Sequence, residues 1–150
     1  MLEENGVGVY LYHRRGDSSI RMDPHIGQRV PLHATALGRT ILAHLPDEST
    51  ESILEEHELP KYTSQTIADR TKLREELRAV REEGIAFDDE MRHEGLRCVA
   101  APILDNGDRV LGAISVSGPI SDFHGERFRS ELPAIVEDAA NTVCLKLARA

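Results

Sequence analysis

The sequence predicts an α+β fold: a curved antiparallel β-sheet with helices packed on it. Three observations carry the prediction. Strand-like residues open the chain, segments with apolar residues at helical spacing fill its middle, and a consecutive set of strand runs precedes one long closing helix. A chain of 150 residues, 40% hydrophobic and 29% charged, has the size and balance of a single globular domain and can bury a core without disulfide staples.

Residues 7–13 alternate as a strand, Arg14-Arg-Gly-Asp-Ser reads as a turn, and residues 19–22 read as the return strand of a hairpin. Asp23-Pro-His-Ile-Gly is a loop, because Pro24 bars helix continuation. A helix starts after Thr35, with Leu37, Ile41, Leu42 and Leu45 in one apolar stripe, and Pro46 ends it. Asp47 is expected to cap a short acidic helix running through His57, with Ile53, Leu54 and Leu59 turned inward. Asp69 suits the N-cap of the next helix, Leu73, Leu77 and Val80 share one of its faces, and Gly84 stops it. Its charged face reads as solvated. Strands are expected at residues 85–88, 96–104 and 109–117, the last two joined by the turn Asp105-Asn-Gly-Asp. From His124 runs an amphipathic helix with Leu132, Ile135, Val136, Ala139, Val143 and Leu147 on its apolar side, where Pro133 marks a bend or the true start.

The net charge of −8 argues against a surface that grips DNA, which needs clustered cations to displace phosphate counterions. Lys61, Lys72 and Lys146 are the only lysines, and the arginines are interleaved with acids. No apolar run approaches the roughly 18 residues that span a bilayer, and no basic-then-apolar leader opens the chain. Cys98 and Cys144 form no disulfide framework and read as reduced thiols of a cytoplasmic protein. The seven histidines include no pair at helical i, i+4 spacing and accompany no Cys-x-x-Cys, so no metal or other cofactor is expected; His93 with nearby acids is the best of the poor metal candidates.

The most informative stretch is Pro31-Leu-His-Ala-Thr-Ala-Leu-Gly-Arg-Thr-Ile-Leu-Ala43. Thr35 as N-cap satisfies only one or two of the free N–H groups of a helix start, and small residues at Ala36 and Gly38 leave the others open to a carboxylate or phosphate. In the strand around Ser117, residues two apart share a face, so Ser115, Ser117 and Ala113 point together while Ile114 and Val116 point oppositely. Cys98 and Ala100 offer a matching face on the neighbouring strand, and Asp88 closes the strand before it.

Four blocks in this order, Leu32-His-Ala-Thr-Ala-Leu-Gly, Gly84-Ile-Ala-Phe-Asp-Asp-Glu, Gly95-Leu-Arg-Cys-Val-Ala-Ala-Pro-Ile-Leu-Asp and Leu111-Gly-Ala-Ile-Ser-Val-Ser-Gly-Pro, closely resemble the effector-binding domain of IclR-family transcriptional regulators. The resemblance runs from about Val7 to the C-terminus. It implies a GAF-like form of the α+β fold, and effector contacts from Ala36, Leu37, Asp88, Cys98, Ser115 and Ser117, with the two serines foremost. Thr35 joins them as the cap, and Met22 as an apolar wall. The pattern departs at Met91, where the family usually carries a further acid.

The resemblance also implies a homodimer or homotetramer that senses a small organic acid. DNA would be bound only through an N-terminal winged helix-turn-helix domain, which is absent from residues 1–150. Two rivals remain: an oligomerisation module with a vestigial pocket, and a hydrolase built on Cys98, His33 and Asp88. The latter lacks a Gly-x-Ser-x-Gly elbow, and no catalysis is expected.

Overall fold

A computed structural model describes residues 1–16 and 24–149. Among the described residues, six strands and four α-helices run as β1 (Leu2–Glu4), β2 (Val7–Val9), β3 (Arg29–Pro31), α1 (Ala36–His44), α2 (Asp47–Glu56), α3 (Arg70–Glu83), β4 (Ala86–Asp89), β5 (Leu96–Leu104), β6 (Val110–Pro119) and α4 (Leu132–Leu147). The strands form two antiparallel three-stranded sheets, β1-β2-β3 and β4-β5-β6. Met1 and Ala113 exchange backbone hydrogen bonds of 2.9 and 3.0 Å and lay β1 beside β6, so the sheets meet edge to edge. Gly112 permits this approach: a Cβ there would sit 2.5 Å from the Met1 carbonyl.

The two faces of β4-β5-β6 build two cores. On one, Ala86, Ala100 and Ala113 pack under Ala36, Leu37 and Ile41 of α1, backed by Leu73, Leu77 and Val80 of α3. On the other, Ile85, Val99 and Ala101 meet Phe128 and the Leu132, Val136 and Ala140 face of α4. Alanines on the first face let α1 lie close, and strand alternation is what gathers them on that face.

Helix limits follow local chemistry. Thr35 and Asp69 cap α1 and α3 by accepting from the amides of Gly38 at 3.0 Å and Lys72 at 2.8 Å. Gly84 ends α3 in the left-handed conformation at φ +74°. The β5–β6 turn is held by Asp105, whose Oδ1 accepts from the amides of Gly107 and Arg109.

Several expectations are corrected. The strand read over residues 7–13 ends at Val9, and the first hairpin turns at Asn5-Gly6, both with positive φ, rather than at Arg14-Arg-Gly-Asp-Ser. That pair is a natural two-residue hairpin turn, overlooked because the strand before it is so short. The return strand at 19–22, and Met22 with it, lies outside the described residues. Strand β3 was not anticipated. Asp47 is the first helical residue of α2, not its cap, and its carboxylate pairs with Arg81 at 2.9 Å. Helix α1 is buried all round, Arg39 and Thr40 included, not along one stripe. On α4, Ile135 and Leu147 are exposed, and the buried line is Leu132, Val136 and Ala140. Pro133 stands near the start of α4, after a π-helical turn at Arg127–Glu131. A wider turn there relieves the clash between the proline ring and the carbonyl four residues back.

Candidate functional site

Register in β4-β5-β6 sets the site. Asp88 lies opposite Cys98, and Cys98 opposite Ser117, so three polar side chains make one row across the sheet. The next row is Ala86, Ala100 and Ser115. Both rows face α1, because cross-strand partners point to the same side. Of the expected site residues, Asp88, Cys98, Ser115 and Ser117 share this face, and Thr35, Ala36 and Leu37 begin the helix packed on it.

The Thr35 hydroxyl takes the Gly38 amide, and the Thr35 carbonyl takes the Arg39 amide. The amides of Ala36 and Leu37 have no partner among the described residues. Both residues are buried, so two donors at the positive end of a helix remain unspent in a sheltered place. Ser115 is half-buried and its hydroxyl is likewise unpartnered among the described residues. Cys98 Sγ touches Ser117 Oγ.

Asp88 is buried, and the amide of Met91 donates to its carboxylate at 2.7 Å. Burial nevertheless pushes its pKa above the ordinary carboxylate value, with Arg39 and backbone hydrogen bonding pulling the other way. Burial pushes the Cys98 thiol up to about 12, helped by Asp88 and opposed by the Ser117 hydrogen bond. Burial thus favours the neutral thiol over the thiolate, which is the reactive form. His33, the base a hydrolase would need, is held instead by the Pro60 carbonyl at 2.9 Å from Nε2 and by burial that lowers its pKa.

Three residues at the site were missed in the sequence. Arg39 is fully buried; its guanidinium donates to the carbonyls of His33 (3.1 Å) and Phe87, and its Nε lies 3.5 Å from the Glu76 carboxylate. It thereby ties the loop before α1, strand β4 beside Asp88, and α3. A lone arginine inside an apolar helix was the available signal. Tyr10 packs against the α1-side core, and burial raises its phenol to about 12, with Cys98 and Asp88 adding to the rise and Arg92 opposing it. Arg92 lies over the Tyr62 ring, 3.7 Å from its centroid.

Among the described residues, cavities also lie away from this face, one of about 190 Å³ between β3, α1 and α2 and another of about 200 Å³ among α1, α2 and α3. Among the described residues, no group of three His, Cys, Asp or Glu side chains gathers as metal ligands, and no helix is long and apolar enough to cross a membrane.

An antiparallel sheet with one face of alanines, hydroxyls and a buried carboxylate lies beneath an open helix start, and helices cover both of its faces, which makes this an α+β domain. The chain belongs to the family described as bacterial transcriptional regulator IclR C-terminal, which matches residues 1–145. It is 40% identical over 126 residues to the transcriptional repressor IclR of Escherichia coli, covering 84% of this chain and 46% of that one. The crystal structure of Thermotoga maritima IclR superposes with a TM-score of 0.91 at 32% identity, covering 98% of this chain and 59% of that one. An inducer-binding domain of PobR from Acinetobacter, solved as a double mutant with 3-hydroxybenzoic acid, gives a TM-score of 0.75 at 25% identity over 83% of this chain and 73% of that one. The chain spans about half the length of the curated relatives it matches.

Proposed function

We propose that this chain is the effector-binding domain of an IclR-type regulator and that the α1 face of β4-β5-β6 takes a small organic acid. The observation that carries the reading is the meeting of unspent donors: the Ala36 and Leu37 amides above a face holding Ser115 and Ser117. A carboxylate seated on the two amides gains charge-assisted hydrogen bonds and the favourable end of the helix dipole. The serine hydroxyls supply further donors. Asp88, facing the same space, would accept from a ligand hydroxyl and repel a second carboxylate placed directly on it. Thr35 fixes the helix start, and Cys98 presents a neutral thiol. The acid-bound PobR domain supports the chemical class, and the relatives' being transcriptional regulators supports a role without catalysis. No cofactor is needed.

In this reading a DNA-binding domain N-terminal to residues 1–150 contacts the operator, and homodimers or tetramers transmit the ligand signal inside the cytoplasm. A ligand moves such an equilibrium only through different affinities for the two states. Closure of the loop before Thr35 over the carboxylate supplies that difference.

A thermal-shift screen of the chain against small carboxylic acids tests the proposal. A ligand at about 100 times its Kd adds roughly 2.7 kcal/mol, a rise of a few degrees in Tm for a domain of this size. The shift should vanish in the Ser115→Ala, Ser117→Ala double variant while its unliganded Tm stays within a degree or two. A domain that serves only as an assembly module would shift with no acid.

A further inference from the structure

The loop after β4 carries a cation that the acid-binding reading leaves unused. We propose that Arg92, held over Tyr62, is a second anion-recognising pole of the site, so that this chain selects a dicarboxylic acid over a monocarboxylic one. The inference rests on the organic-acid reading above and names the ligand class within it.

Place comes first. Arg92 directly follows Met91, whose amide donates to Asp88, the first member of the polar row, so the residue begins at the edge of the site. Its side chain then lies over Tyr62, with Cζ 3.7 Å from the ring centroid. Stacking engages the face of a guanidinium and leaves its in-plane N–H fork free for a carboxylate.

The three acids at the end of β4 and the start of the loop are engaged elsewhere, and among the described residues Glu94 makes no ion pair with Arg92. Asp88 accepts from the Met91 amide at 2.7 Å, Asp89 pairs with Arg97 at 2.6 Å, and the Glu90 carboxylate accepts from the Gly95 amide at 2.7 Å. Met91 adds no charge. Among the described residues the Arg92 guanidinium has no carboxylate partner, whereas the other cation of the site, Arg39, is matched by Glu76 and Asp88.

The backbone segments that carry the two members of the stack are also tied together. Thr63, next to Tyr62, donates to the Glu90 carbonyl at 2.6 Å, and Thr66 donates to the Met91 carbonyl at 2.6 Å while accepting from the amides of Tyr62 and Thr63. The His33 ring lies 6.0 Å from Tyr62, which joins the loop before α1 to the same cluster. A fork fixed before the ligand arrives loses little entropy on binding. One carboxylate on the Ala36 and Leu37 amides and a second on the Arg92 fork would keep both acids off Asp88.

Isothermal titration calorimetry of the intact chain with matched pairs of different length (succinate and butyrate, glutarate and pentanoate, malate and 3-hydroxybutyrate) decides the matter. At least one diacid should bind roughly tenfold or more tightly than its monoacid partner, the scale of a charged hydrogen bond. Arg92→Met should abolish that preference without weakening the monoacid, and Tyr62→Leu should reduce it. Arg78→Met, on α3, should leave it unchanged and so separate a local fork from general charge. Equal binding of diacid and monoacid, or a preference that survives Arg92→Met, overturns the second pole and leaves the acid site standing. If no acid of either kind binds, both readings fall.

Discussion

Arg39 shows how much one side chain can organise here. It is fully buried, burial lowers its pKa, and Asp88 and Glu76 counter that pressure. Its donors reach the His33 and Phe87 carbonyls, so it fixes the α1 start relative to β4. Replacing it with Met removes one partner of a buried charge set and strands two carbonyls. A loss of about 3–5 kcal/mol in urea unfolding is expected. Arg39→Lys should recover only part of it, because one ammonium cannot reproduce a planar fork. Gly38 serves the same junction: a Cβ there would lie 2.1 Å from the Leu32 carbonyl, so the loop and α1 touch backbone to backbone.

Helix α3 is a self-contained element with a signal at each end. Asp69 caps its first turn, Gly84 at φ +74° closes its last, and the space around Gly84 is open. Asp69→Ala should cost roughly 1 kcal/mol through the lost cap. Gly84→Ala should cost about 1 kcal/mol through the left-handed conformation alone. The helix has 14 residues and a length of about 21 Å, which separates the two sites, so the double variant should show the sum in chemical denaturation. A clear departure from additivity would mean that the helix frays as a unit.

Across the whole molecule, pH acts through histidines that folding partly removes from water. Burial lowers the pKa of His33, His44 and His93 below 6.5, against the hydrogen bonds to Pro60 and Thr40 in the first two and against Asp88 in the third. Groups with depressed folded-state pKa values of this kind leave stability intact above the unfolded value near 6.5 and withdraw it as pH falls through the folded values. Asp88 works in the opposite sense, since its raised pKa favours the fold below the unfolded value of 3.8 and loses that contribution as pH rises through the folded one. The histidine share is isolated by difference. Between pH 6.5 and 5, the Tm of the native chain should fall further than that of the His33→Gln, His44→Asn double variant, whose amides can donate to Pro60 and Thr40 in place of the rings.

Local chemistry was enough to read α1, α3 and β5 to within a residue or two, because caps, glycine stops and alternation act over a few neighbours. It was also enough to set Ser115 and Ser117 on one face, since a strand repeats every two residues. Met22 and the strand expected at 19–22 lie outside the described residues, and β3 left no signal because three residues are too few for a pattern. The apolar side of α4 was misjudged at Ile135 and Leu147, as a helix with apolar residues on several sides does not say which side the sheet will take. Arg39, Tyr10 and Arg92 entered the site only through contacts between segments distant in sequence: Arg39 reaches Phe87, 48 residues on. The sequence by itself determined the helix starts, the strand faces and hence the row of small and hydroxyl-bearing residues. Tertiary structure alone decided which charges border that row and which are cancelled, because pairing between distant side chains has no period along the chain.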